Sequence, residues 1–148
     1  MSIAIVIGNS RCTDLFGDIF PHCGFVHADY MRCVDSAEQP VIFGEDINSG
    51  WSCKNALAAV VNADSDSFER IADKLCGIRM VSCGVSPRNA ISVTSRTTTA
   101  LTLSLNRSIK TVCGICEPLE LPVELRSGFS EYDIMAAFAA CLLLGKIG

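Results

Sequence analysis

Two short apolar runs with a helix pattern between them constrain this chain most. Leu57 to Val61 reads as a strand and ends in Asn62-Ala63-Asp64. Asp66 follows as a helix N-cap, with Glu69 at capping-box spacing. Phe68, Ile71, Ala72 and Leu75 then fall at i, i+3, i+4 and i+7, one apolar face of a helix, and Gly77 stops it. Ile78 to Ser82 is the next strand, ending at Cys83-Gly84. Strand, helix and strand in that order form a parallel β-α-β unit, because parallel neighbours need a crossover of this kind. The sheet it belongs to is of the type that binds nucleotides beyond its strand ends.

Around this unit the periodicity changes twice. Ile3 to Ile7 is a β-branched run suited to a buried central strand, turned by Gly8-Asn9-Ser10. Phe25-Val26-His27 and Val41-Ile42-Phe43 are further short strands. From Ala90 the period becomes two: Ile91, Val93, Leu101, Leu103, Leu105 and Ile109 alternate with Ser, Thr and Asn. That pattern predicts antiparallel strands with one wet face. Val112 to Ile115 and Leu119 to Leu125 extend it, with Pro118 and Pro122 confining them to an edge. Ser130 and Asp133 have capping-box spacing, with Phe129 placed as a staple, and open a last helix that is apolar on all sides from Ile134 to Leu144. Such a helix is either central or covered by a partner.

Together these elements predict an α/β fold, a Rossmann-like three-layer sandwich with a mainly parallel sheet and an antiparallel β extension, in a single domain over residues 1–148. Hydrophobic residues make up 49% of the chain and charged ones 19%, so the sheet is covered on both faces or some surface meets a partner. A net charge of -4 without a Lys/Arg cluster excludes a nucleic-acid partner. The apolar run from Ile134 to Gly145 is too short for a bilayer, which takes about 20 residues, and Met1 to Ile7 has no basic n-region. Neither membrane nor secretion is expected, so the location is cytoplasmic and the nine cysteines are thiols.

Residues 58–148 resemble the rear half of the central ATP-binding domain of the Mur ligase and folylpolyglutamate synthase superfamily; residues 1–57 have no counterpart. The similarity lies in Asn62-Ala63-Asp64, the helix after it, Val81-Ser82-Cys83-Gly84, the β-strands, and the small-residue helix from Asp133 to Gly145. The resemblance implies an ATP-dependent carboxylate–amine ligase acting through an acyl phosphate, with Asn62, Asp64 and Asp133 at motif positions near a nucleotide edge. The chain departs from that pattern where phosphoryl transfer is performed. Gly8-Asn9-Ser10-Arg11 is no Gly-x-x-x-x-Gly-Lys-Ser/Thr, and the family's metal-site carboxylate and histidine have no recognisable counterpart. With three residues after Gly145, no C-terminal ligase domain is expected. The expectation is therefore a pseudoenzyme with no catalytic residue.

Other groups admit two readings each. Gly8, Asn9 and Ser10 form an anion nest or an ordinary βα turn. Cys113-Gly114-Ile115-Cys116 is a C-x-x-C, read first as two structural thiols and otherwise as zinc ligands or a redox pair. His22, Cys23, His27 and Cys33 join it only if the fold brings them near. Neither histidine has a recognisable nucleophile–base constellation, and Trp51 is an interface anchor or a packing residue. The leading expectation is a non-catalytic domain that associates with itself, or with a protein covering the last helix, and retains adenine-nucleotide (ATP) binding. The alternative is an ATP-dependent ligase or a thiol or zinc protein using Cys113 and Cys116.

Overall fold

The computed structural model describes residues 5–7, 26–28, 41–43, 57–66, 68–74 and 77–145. Among these residues ten strands and two helices follow in chain order: β1 Ile5–Ile7, β2 Val26–Ala28, β3 Val41–Phe43, β4 Ala58–Asn62, α1 Phe68–Lys74, β5 Met80–Cys83, β6 Ile91–Arg96, β7 Ala100–Leu105, β8 Ile109–Thr111, β9 Gly114–Cys116, β10 Leu119–Glu124 and α2 Glu131–Leu143. Eight strands make one sheet in the order β10-β7-β6-β5-β4-β3-β1-β2, and β8 and β9 form a separate hairpin. From β2 to β6 every neighbouring pair is parallel, while β7 is antiparallel to both β6 and β10. The fold is α/β with a mixed, mainly parallel sheet, as the sequence predicts.

The β4–α1–β5 unit is present. Ala59, Val60, Val61 and Asn62 pair with Met80, Val81, Ser82 and Cys83. Ala58, Ala59, Val60 and Val61 are all buried, the unbroken apolar run of a strand covered on both faces. Ile71 points α1 at the core, and Gly77 takes φ +87 beyond it, a left-handed backbone that glycine adopts at little cost. The residue joining Asp66 to α1, Leu75 of the expected apolar face, and Trp51 lie outside the described residues.

The wet side of the antiparallel region differs from expectation. Ile91, Val93, Leu101, Leu103 and Leu105 do face the core. Ser92 and Ser104, on the other side, are nonetheless buried at 2% and 7% exposure. Asn106 folds over them: its Nδ2 donates to Ser92 Oγ at 2.9 Å, and its Oδ1 accepts from Ser104 Oγ at 2.7 Å. A closed set of mutual hydrogen bonds removes the cost of burying these hydroxyls. The predicted strand over 112–115 is also corrected, because Val112 and Cys113 are the turn between β8 and β9. The Thr111 hydroxyl accepts the Cys113 N–H at 3.1 Å and donates to the Gly114 carbonyl at 2.8 Å. Gly114 then takes φ +110.

α2 resolves the choice between a central helix and one covered by a partner. Every residue from Asp133 to Leu143 is buried within the chain itself, so no partner is needed to cover it. It lies against β3, β4, β5, β6 and β8, and Ala136, Ala137, Ala139 and Ala140 let it approach closely. At its start the Ser130 side chain accepts the Asp133 N–H at 3.1 Å, and Asp133 Oδ2 accepts the Ser130 N–H at 2.9 Å, the predicted capping box. Phe129 packs against the core there. Arg96 grips Glu131 through two hydrogen bonds of 2.7 and 2.9 Å, tying the end of β6 to the first turn. At the far end the Val112 N–H donates to the Leu143 carbonyl at 3.0 Å, so the β8–β9 turn closes the helix. No helix among the described residues is long and apolar enough to cross a membrane.

The margin of the sheet at β10 is blunted. Pro122 lacks an N–H, and Glu120 and Glu124 are exposed along it. Among the described residues Phe138 is the largest fully buried side chain. Phe138→Ala is expected to cost about 3–5 kcal/mol, and Ser130→Ala about 1 kcal/mol. Urea unfolding should rank them in that order, and equal losses would mean α2 is not packed as described.

Candidate functional site

In open α/β sheets, ligands bind outside the carboxyl ends of the strands, chiefly where the strand order reverses. Here the reversal lies between β1 and β3, since β2 follows β1 on one side and β3, β4, β5 and β6 run away on the other. Gly8, Asn9 and Ser10 directly follow β1 and lie outside the described residues, as do His22, Cys23 and Cys33; His27 lies in β2. The carboxyl ends of β4 and β5 are described in full.

There Asn62 and Asp64 come together. Asn62 Oδ1 accepts the Asp64 N–H at 3.0 Å, an Asx turn that bends the chain off β4. Asp64 Oδ2 accepts the Val85 N–H at 2.8 Å, tying the β4 exit to the β5–β6 loop. Gly84 lies inside this junction. A Cβ on it would stand 2.5 Å from Asn89 Nδ2 and 3.0 Å from the Asp64 carboxylate, so a side chain there would displace Asn89 and crowd Asp64. Asp133 is elsewhere in the fold, in the cap of α2. Each of the three polar groups thus has a local structural duty.

The register raises a wall beside this junction. Cys83, the last residue of β5, pairs with Ile91, the first of β6, so β6 carries on past the edge where β5 stops. β7 returns to the same level, with Leu105 opposite Ile91. The next two residues close onto the junction: Asn106 Nδ2 also donates to the Asn89 carbonyl at 3.0 Å, and Arg107 Nη2 lies 3.4 Å from Ser82 Oγ. Ser82 Oγ in turn accepts the Ala90 N–H at 3.1 Å. Three chain segments, after β4, β5 and β7, are stitched into one surface. Arg88, Arg107 and Ser82 escape sequence reasoning, because nothing local marks residues that only sheet register brings together.

Cys113 and Cys116 sit on a second feature, a cleft of about 460 Å³ lined also by Ile115, Glu117, Leu119 and Leu142. Both are free thiols. Cys113 occupies the hairpin turn, and its sulfur lies where a Cβ on Gly145 would be. The neighbouring helix end is therefore the C-terminus of α2, whereas a redox C-x-x-C opens a helix. The Cys116 thiol lies 3.6 Å from the Glu117 carbonyl, and burial followed by the Glu117 charge pushes its pKa up. Among the described residues, no three His, Cys, Asp or Glu side chains are grouped to hold a metal.

Compared with protein-family models, curated proteins and solved structures, the chain matches none.

Two outcomes follow from this geometry. Asp64→Ala should cost about 1 kcal/mol and speed exchange of the Val85 amide, measured by hydrogen exchange, and an unchanged amide would refute the tether. The raised pKa of Cys116 leaves less thiolate at any pH below it. At about pH 8, iodoacetamide should label Cys116 more slowly in the folded protein than in urea, with equal rates the contrary result.

Proposed function

We propose that this is a non-catalytic, Mur-ligase-like domain that works by protein association, its partner a second copy of the chain. The observation supporting association is the β8–β9 hairpin. Val112 and Ile115 are 54% and 63% exposed, on a turn held to the end of α2 by the Val112–Leu143 hydrogen bond. Large aliphatic side chains fixed in water on a rigid support favour contact with another apolar surface. The cleft beside them is of mixed character, with Leu119 and Glu117 both lining it.

The non-catalytic part rests on the sequence, where the phosphate-cradling loop and its lysine have no equivalent. A second reading, retained binding of an adenine nucleotide, is supported by the strand order, which turns loops of three segments toward the carboxyl edge.

Light scattering should find a species larger than a monomer, and Ile115→Asp should reduce it to a monomer with unchanged far-UV circular dichroism. A wild-type protein that stays monomeric at high concentration ends the association reading.

A further inference from the structure

We infer that Arg88 and Arg107, with the Ser82 hydroxyl, form a binding site for a phosphate group at the carboxyl edge of β5, doing with side chains what a glycine-rich loop does with backbone. This deepens the nucleotide reading above and rests on it for the identity of the whole ligand.

The two arginines are placed by their asparagine neighbours. Arg88 is the chain neighbour of Asn89, and Arg107 of Asn106. The two asparagines are joined by the 3.0 Å bond from Asn106 Nδ2 to the Asn89 carbonyl. Two guanidinium groups therefore start from either side of a single hydrogen bond. Both residues are exposed, and among the described residues neither has an ion pair. They are two cationic residues on neighbouring segments of a chain whose net charge is -4.

The support beneath them is fixed. Arg107 Nη2 lies 3.4 Å from Ser82 Oγ, a hydroxyl anchored by the Ala90 N–H. The Arg88 N–H donates to Ser86 Oγ at 3.2 Å, holding its own turn. The nearby carboxylate, Asp64, has one oxygen committed to the Val85 N–H, and no ion pair links it to either arginine. Arginine presents a planar fork of donors that matches phosphate oxygens, and paired arginines are a recurrent means of holding them. The location is the carboxyl edge of the parallel strands, two strands from the reversal at β1 and β3. A phosphomonoester, or the phosphates of a nucleotide, fits this donor set.

The test uses inorganic pyrophosphate and adenosine as separate probes, titrated calorimetrically into the full chain at fixed moderate salt. Pyrophosphate should bind saturably. Arg88→Gln and Arg107→Gln should each weaken it about tenfold, and Arg107→Lys, which keeps charge but loses the fork, should fall between. Arg70→Gln on α1 is the control for general electrostatics and should change nothing; thermal melting verifies that each variant is folded. No saturable pyrophosphate binding, or a loss as large in Arg70→Gln, overturns the site. Adenosine binding without pyrophosphate binding removes the arginine site and leaves the nucleotide reading. Pyrophosphate binding without adenosine does the reverse, making the ligand some other phosphate ester.

Discussion

A helix apolar on every side can persist in water only if protein surrounds it, and α2 satisfies that demand inside its own chain. Its cost in conformational entropy is offset by burial of each residue from Asp133 to Leu143. That requirement organises what lies around it. The apolar faces of β4, β5 and β6 meet it, β8 approaches its far end, and both ends are secured, one by Ser130 and Asp133 and the other by Val112. The antiparallel strands gain their position from the same contact, since the inward side chains of β6 and β7 belong to one core with the helix.

The packing explains how a sheet edge comes to carry a candidate site. Because β6 takes up where β5 leaves off, the chain must make a loop from Gly84 to Ala90 and bring β7 back to the same height. Polar groups at that height meet one another through necessity: Asn62, Asp64, Ser82, Asn89 and Asn106 satisfy loop backbone that no strand can pair. The arginines beside them stay exposed, Arg107 with one guanidinium nitrogen against Ser82. Structural stitching and ligand contact are therefore neighbouring uses of one junction, divided between different residues.

Much of this was legible in the residues themselves. The β4–α1–β5 unit shows as two buried apolar runs about a helix pattern, and the ends of α2 show in Ser130, Asp133 and Gly145. The strand order was not legible, since pairing of β3 with both β1 and β4 depends on contacts far apart in the chain. The sequence pattern predicts strand where Val112 and Cys113 turn, for a specific reason. Both residues are apolar and look like strand, while the bend is imposed by the Thr111 hydroxyl and by the left-handed Gly114. At the candidate site the sequence points to Asn62 and Asp64, yet both accept backbone N–H groups, from Asp64 and Val85. Arg88 and Arg107 carry no local pattern at all; the pairing of β6 with β7 and the bonds from Asn106 to Asn89 and Ala90 bring their segments together.

The β10 margin sets how the molecule can meet another. A proline in the outermost strand removes a donor from the row that an incoming strand would use, and the acidic side chains beside it would repel a matching row from an identical copy. Growth of the sheet from molecule to molecule is stopped along that side. Any assembly built there would be finite and held by side chains, which makes its stability open to single substitutions and its stoichiometry a matter of surface shape.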